Sequence, residues 1–456
     1  MRTMSTLDVI LVVLTLIFAA LAVAAPRIGV RALPVAVPLL LAGWLGQWLL
    51  EGFYWQFLPA LLLAVAAAVL AVRQGIRPRT GVIAVSARVV VGVWAVVAVL
   101  ALAPAPVPEL PAPTGPYAVG SQIYRWVDEQ RAEPTAPGER RNVVVQAWYP
   151  ADQRSGRRYV YIDGYDRLPG SVSGIPGALM RGYGRIDTHA TTDVPVSGAR
   201  ERWPVVLFSP GYGAPRAFYT GLVADLASRG FVVLAVDHPF ESAVTELADG
   251  RLATTVATGT DDDLADEQRT RAADLRYVLD QLAGPDLLGP LADRIDTGHI
   301  AAVGHSFGGA AALAVLAEDP RVAAAANIDG TLYGDLPGRT LTRPVLLVES
   351  DRAETGHSDR YLDGNGALLA RLAAPGHRYT VTGANHFGFT DVPFFLVPPA
   401  QAVLGRFVGG PRDPADTHRT TVALLDAFLR EPLGDPAVDI AATAAGLAGV
   451  TGGRVR

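Results

Sequence analysis

The chain has 456 residues, a formal net charge of −5 and no cysteine. That length suits two or three units rather than one small domain, and the slight acidity leaves no electrostatic footprint for nucleic acid. The missing cysteines exclude disulfides, thiolate metal sites and a cysteine nucleophile.

Hydrophobic residues make up 50% of the chain, with the excess concentrated in residues 1–103. Four apolar segments appear there: Leu7–Ala25, Leu33–Leu50, Phe53–Val72 and Val82–Ala103. Each is close to the ~20 residues that cross a bilayer as a helix, so the reading is an all-α transmembrane bundle of four helices. Arg88 is tolerated if it snorkels toward a headgroup layer. Pro34, Pro38 and Pro59 fall near segment starts, where proline costs least. A cleaved signal peptide, suggested by Ala22–Ala25, would account for the first segment alone. Arg27 and Arg31 follow the first segment, Arg73, Arg77 and Arg79 follow the third, and only Glu51 follows the second. Positive connections stay cytoplasmic, which puts both termini outside, although Arg2 argues weakly the other way.

Residues 104–116, PAPVPELPAPTGP, are dense in proline and are expected to form a semi-rigid spacer. From Tyr117 to residue 435 apolar strands alternate with helical stretches. Asn142–Tyr149, Pro204–Phe208 and Phe231–Val236 read as strands. Ala217–Arg229 and Asp266–Leu282 read as helices, the second with Leu275, Val278, Leu279 and Leu282 on one face. The strands Ile300–Val303, Val322–Ile328, Val345–Val348 and Tyr379–Thr382 follow, with a helix from Gly309 to Ala317 and a last one at Thr420–Leu429. This alternation predicts an α/β domain with a mainly parallel sheet covered on both faces. Residues 436–456 are left as a C-terminal tail. The acidic run Asp261–Asp263 lacks calcium-loop spacing and reads as a loop before a helix.

Polar candidates cluster at predicted strand ends, where α/β sheets place their sites. Gly304-His305-Ser306-Phe307-Gly308 fits G-x-S-x-G between a strand and a helix, the context in which a serine becomes a nucleophile. His386, in Gly383-Ala384-Asn385-His386, follows a late strand and suits the general base. His305 occupies the motif's variable position and is expected to point away from the serine. His238 reads as structural, and His189, His299, His357, His377 and His418 as surface or loop residues. The acid is Asp329 or Asp351, each at the end of a strand after the elbow, and geometry alone leaves both open. Two amide donors for an oxyanion would be Phe307, next to the nucleophile, and Tyr212 in Ser209-Pro210-Gly211-Tyr212-Gly213. No metalloprotease, P-loop or dinucleotide fingerprint appears, and no metal or organic cofactor is expected.

At these residues the sequence resembles the platelet-activating factor acetylhydrolase family of α/β-hydrolases. The similarity runs from Tyr117 to Leu433. It includes Trp148-Tyr149-Pro150, the segment from Val205 to Pro239, GHSFGG at Gly304–Gly309, the aspartate of NIDG and the histidine of GANHFGFTD. The resemblance implies an α/β-hydrolase fold and favours Asp329 as the acid. One departure is Pro210, which stands where that family commonly has a histidine. Pro210-Gly211-Tyr212 is instead similar to cutinase-like polyester hydrolases, which would imply Asp351. The expectation is a membrane-embedded, extracytoplasmic serine esterase acting on short-acyl or oxidised lipid esters or other small hydrophobic esters. A cell-envelope acyltransferase with the same triad and a non-catalytic lipid-binding protein are the alternatives.

Overall fold

A computed structural model describes the chain apart from residues 1–3, 53, 77–81, 154–155, 181, 257–260 and 285–287. The chain forms two compact units. One comprises Met1–Glu109, Leu179–Tyr183 and Phe394–Val403; the other comprises Leu110–Ala178, Gly184–Pro393 and Leu404–Arg456.

The first unit holds helices α1 (Thr6–Ala24), α2 (Pro26–Glu51), α3 (Leu58–Ile76) and α4 (Val82–Leu100). A capping box opens α1: the Ser5 hydroxyl accepts from the Asp8 amide at 3.0 Å, and the Asp8 carboxylate accepts from the Ser5 amide at 2.8 Å. Ala19, Ala22, Ala60, Ala67 and Ala71 are buried, and such small residues let helix backbones approach closely. Helix α1, helix α2 and the stretch Trp55–Ile76 are long and apolar enough to cross a membrane, with mean hydropathies of 2.8, 1.8 and 2.2. The fourth predicted segment is helical as α4, and its described apolar stretch, Val85–Leu100, is shorter. Helix α2 starts at Pro26, ahead of the expected Leu33, because proline suits the first helical position. Pro34 and Pro38 therefore lie inside the helix rather than near its start, and each removes an internal hydrogen bond. Arg2, Phe53, Arg77 and Arg79, used in reading the spans and their orientation, lie outside the described residues.

The strands in chain order are β1 (Ala118–Ala132), β2 (Arg140–Ala151), β3 (Arg157–Arg158), β4 (Ser171–Val172), β5 (Ile175–Pro176), β6 (Ala190–Thr192), β7 (Trp203–Ser209), β8 (Val232–Asp237), β9 (Thr245–Glu246), β10 (Leu252–Ala253), β11 (Ile295–His305), β12 (Val322–Ile328), β13 (Val345–Ser350), β14 (Gly376–Val381) and β15 (Val450–Arg454). Eleven of them form one sheet in the order β15-β14-β13-β12-β11-β7-β8-β2-β1-β6-β3. The run from β14 to β8 is parallel throughout. Strands β7 and β8 are buried at every position, as their nearly unbroken apolar sequences require in a sheet covered on both faces. The connecting helices are α5 (Thr220–Ser228), α6 (Asp261–Gln281), α7 (Phe307–Glu318), α8 (Arg352–Thr355), α9 (Asp359–Arg371), α10 (Pro398–Val408), α11 (Pro414–Arg430) and α12 (Ile440–Ala445). Because β7, β11, β12, β13 and β14 are successive parallel neighbours, the residues that follow them emerge along one edge of the sheet.

Two regions depart from the sequence reading. Helix α6 begins at Asp261, so the acidic run opens the helix instead of preceding it; acidic residues favour a helix N-terminus. Residues 436–456 contain α12 and β15, and β15 pairs antiparallel with β14; Gly452 and Gly453 weaken the strand signal that would have shown it. The proline-rich residues 104–116, expected as a semi-rigid spacer, also make hydrogen bonds to the chain around them. The Ala105 amide donates to the Phe395 carbonyl at 2.7 Å. The Thr114 hydroxyl donates to Asp225 at 2.8 Å, and the Gly115 amide donates to the Ser228 hydroxyl at 2.9 Å. Composition marks such a segment as extended, but polar groups nearby decide whether it docks.

Candidate active site

Strand β11 ends at His305 and α7 begins at Phe307, leaving one residue, Ser306, to turn the chain. Its φ of 56° and ψ of −128° lie where a residue with a side chain rarely sits. The Ser306 amide donates to the Ile328 carbonyl at 2.7 Å, which fixes the turn against β12. Two flanking glycines make this packing possible. A Cβ on Gly304 would come within 2.1 Å of the Gly308 carbonyl oxygen, and one on Gly308 within 2.0 Å of the Ser209 carbonyl oxygen.

His386 starts a 3-10 turn after β14 that is capped by the Asn385 side chain. Its Nε2 lies 2.9 Å from Ser306 Oγ, and its Nδ1 lies 2.7 Å from Asp329 Oδ2. Asp329, at φ 54°, follows β12 and is buried. Burial alone would raise its carboxyl, but hydrogen bonds from His357 and His386 outweigh that and hold it well below the usual carboxylate range. An ionised Asp329 requires the proton of His386 to sit on Nδ1, which leaves Nε2 to accept the serine proton.

Asp351 turns elsewhere. Its side chain caps α8 through the Ala353 amide at 2.9 Å and accepts from the Gly383 amide at 2.8 Å. It braces the loop that carries His386 without bonding to the imidazole among the described residues.

The loop after β7 runs beside the serine. A Cβ built on Gly211 would lie 3.3 Å from Ser306 Cβ, and the Tyr212 and Phe307 rings meet edge to face at 5.9 Å. A buried charged cluster holds the loop from beneath. Arg271 donates to the Pro210 carbonyl at 2.5 Å and to Glu241 at 2.6 Å, and its guanidinium lies 4.8 Å from the Phe307 ring centroid. The Gly213 amide donates to the Glu241 carbonyl at 3.2 Å.

The remaining histidines correct the sequence reading in three places. His305 is buried against the site rather than turned away from it, with its ring centroid 4.6 Å from that of His386. The variable position of the elbow fills the gap between the two loops that flank Ser306. His357, expected at the surface, is buried, with Nε2 2.9 Å from Asp329 Oδ1. His418 is also buried, 3.2 Å from Asp225. His238 is structural, as expected: with Ser209 at 2.9 Å and Asp274 at 2.8 Å it forms a second serine–histidine–aspartate chain. Ser209 and His238 are both 0% exposed, so no substrate reaches that chain.

Ser306, His386 and His305 line a cleft of about 290 Å³ whose other walls include Tyr212, Phe218, Phe387, Val392 and Phe407. Phe387 and Phe407 stand exposed. A serine hydroxyl bonded to an oriented imidazole, at the base of an apolar cleft, is the arrangement of a serine acyl-transfer enzyme.

A family model described as platelet-activating factor acetylhydrolase, isoform II, matches residues 104–257 and 280–439. The chain belongs to this family. The acetylhydrolase match thus begins after the four N-terminal helices and spans the whole serine–histidine–aspartate constellation. A probable 1-alkyl-2-acetylglycerophosphocholine esterase from Arthroderma benhamiae is 28% identical over 52% of this chain and 64% of its own length. The platelet-activating factor acetylhydrolase of Cavia porcellus is 23% identical over 62% of this chain and 69% of its own. The chain thus spans roughly two thirds of the length of these acetylhydrolase relatives. Among solved structures, a ferulic acid esterase from Streptomyces cinnamoneus has a TM-score of 0.64 and 30% identity, covering 76% of this chain and 99% of that one. The fold is an esterase-like α/β fold with a largely parallel sheet.

Proposed function

We propose that the protein is a membrane-anchored serine carboxylic-ester hydrolase. The observation that carries the reading is the continuous relay from Ser306 Oγ through His386 to Asp329 at the base of the cleft. Ser306 Oγ attacks the ester carbonyl carbon as His386 Nε2 takes its proton. The amides of Tyr212 and Phe307 hold the oxyanion, and Asp329 stabilises the imidazolium. His386 then protonates the leaving alcohol, giving an acyl-enzyme. Water attacks this intermediate, His386 accepts the water's proton, and Ser306 is released with the acid product.

The family match and the apolar cleft favour short-acyl or oxidised lipid esters, or other small hydrophobic esters. The three long apolar helices support membrane anchoring. The arginines near helix ends, Arg27 and Arg31 in the first turns of α2 and Arg73 in the last turn of α3, support four spans with the catalytic unit outside the cytoplasm. A fluorophosphonate probe should label the wild-type chain and leave Ser306→Ala unlabelled; labelling elsewhere, or none on folded protein, sinks the reading. A reporter fused after Arg456 should be active outside the cytoplasm.

A second substrate reading has its own support. The structural likeness to a ferulic acid esterase and the aromatic walls supplied by Tyr212, Phe218, Phe387 and Phe407 favour an aromatic acyl group. A panel comparing acetyl, short-acyl, oxidised-acyl and feruloyl esters, with Ser306→Ala as control, separates the two through kcat/KM.

A further inference from the structure

Two imidazoles meet on one carboxylate. His386 Nδ1 lies 2.7 Å from Asp329 Oδ2, while His357 Nε2 lies 2.9 Å from Oδ1. The Ser350 amide and the Tyr361 hydroxyl also donate to Oδ1, at 2.9 and 3.2 Å, and the Ser350 hydroxyl donates to Oδ2 at 2.8 Å. His357 reaches Asp329 from the connection between α8 and α9. Its ring lies flat on Tyr361, 3.9 Å between centroids at an interplanar angle of 6°, and its side chain is 6% exposed. Its Nε2 also lies 3.1 Å from Ser350 Oγ, so the ring is held both at its edge and on its face.

We propose that His357 is a positioning residue that acts through Asp329 to set the pH at which His386 becomes a working base. The inference rests on the triad roles assigned above. A carboxylate stabilises an imidazolium most when its negative charge is undivided. Each donor on Oδ1 draws charge away from Oδ2 and fixes the plane of the carboxylate, so that Oδ2 points along the His386 Nδ1–H bond. His357 does both, and it can also carry a proton. A proton on either imidazole weakens the hold of Asp329 on a proton at the other.

The other ionisable groups around them come from four elements. His305 of β11 lies under His386. Glu349 of β13 interacts with Tyr361 of α9 and pairs with Arg378 of β14 at 2.8 Å. Arg378 offsets the charge of Glu349, and burial keeps Tyr361 neutral. His357 and His386 are thus the imidazoles seen to bond directly to Asp329.

The test is the pH profile of kcat/KM for p-nitrophenyl acetate on the full chain, with active sites counted by fluorophosphonate titration. His357→Phe keeps the ring stacked on Tyr361 but removes the donor. Its acid limb should move up by ~0.5–1 pH unit, about half of what one lost hydrogen bond to a charged group is worth, because His357 acts on His386 only through Asp329, with kcat reduced and KM little changed. His357→Gln restores a donor nitrogen without a titrating ring and should bring the limb back toward the wild-type pH. A purely structural role would lower the count of active sites and leave the limb in place; that result overturns the proposal. The same shift should appear in the His386 titration followed by ¹⁵N-histidine NMR in Ser306→Ala protein. An unmoved His386 there refutes the coupling, whereas absence of ester turnover by wild-type protein refutes the hydrolase reading alone.

Discussion

His305 Nε2 lies 3.0 Å from the backbone carbonyl oxygen of His386. A carbonyl only accepts, so Nε2 carries the His305 proton and Nδ1 is left as an acceptor. The Tyr219 hydroxyl, 2.8 Å from that Nδ1, donates to it and in turn accepts from the Gly211 amide at 2.9 Å. One directional chain thus joins the loop beside the serine to the loop that carries the base. Burial and the neighbouring His386 push the His305 imidazole down to about 3, so the ring stays neutral and the direction of the chain is fixed across the working pH range.

Removing the Tyr219 hydroxyl breaks this chain without removing the ring. Tyr219→Phe leaves the Gly211 amide and His305 Nδ1 without their partner, at a cost of ~1–3 kcal/mol for buried polar groups. If half of that falls on the transition state, kcat/KM drops roughly 3- to 10-fold. Steady-state kinetics should show the loss in kcat with KM nearly constant. A change confined to KM would mean that Tyr219 serves substrate binding instead.

The two candidate acids make opposite predictions. Asp329→Asn leaves His386 in the wrong tautomer and should reduce kcat by roughly 10⁴-fold, the scale of that substitution in serine triads. Asp351→Asn weakens the cap of a four-residue helix and should cost about 1 kcal/mol or less of stability while turnover persists. Turnover lost in the Asp351 variant and kept in the Asp329 variant would reverse the assignment.

Ser306 and His386 were legible in the sequence because flanking glycines and strand ends leave local marks. Asp329 was not separable from Asp351 by such marks, since both end neighbouring parallel strands, β12 and β13. The choice lies in the left-handed turn at Asp329 and in the cap that occupies Asp351. His357 was missed because it belongs to a loop without periodicity, and its partner is brought to it by β12 and β13. Its position shortly after a strand end on the catalytic edge was the available signal. The apolar N-terminal segments were visible from composition, whereas the start of α2 depended on a single proline.

Asp391 gives the stability curve a distinct feature. Its carboxyl is 2% exposed and accepts from the Tyr161 hydroxyl at 3.0 Å and the Gly221 amide at 3.1 Å. Burial pushes it up to about 7, above the unfolded value of ~3.9. The folded chain therefore holds a proton that the unfolded chain releases between those values. The stabilisation is fully present below ~4 and is lost as the pH rises to about 7, at ~1.4 kcal/mol per pH unit. Asp391→Asn cannot ionise, so its stability relative to wild type should climb from pH 4 to 7 and level off above. Urea titrations at several pH values will show this; a difference independent of pH excludes it.

Two glycine-to-alanine changes should act in opposite directions for reasons visible around each residue. At Gly308 a new Cβ would sit 2.0 Å from the Ser209 carbonyl oxygen and 2.5 Å from that of Pro210. Both are backbone atoms on the loop beside Ser306, so the loop must move. Gly308→Ala should therefore lower stability by ~1–3 kcal/mol, as overpacking does, and reduce kcat because the Tyr212 amide moves with the loop. At Gly366, within α9, a Cβ meets nothing within 4 Å. Gly366→Ala should stabilise the chain by ~0.5–1 kcal/mol through the unfolded state and helix propensity, with turnover unchanged. Thermal unfolding and kcat measured side by side will separate the two sites. If both variants are neutral, the close approach of the β7 loop to the elbow is not what the glycine serves.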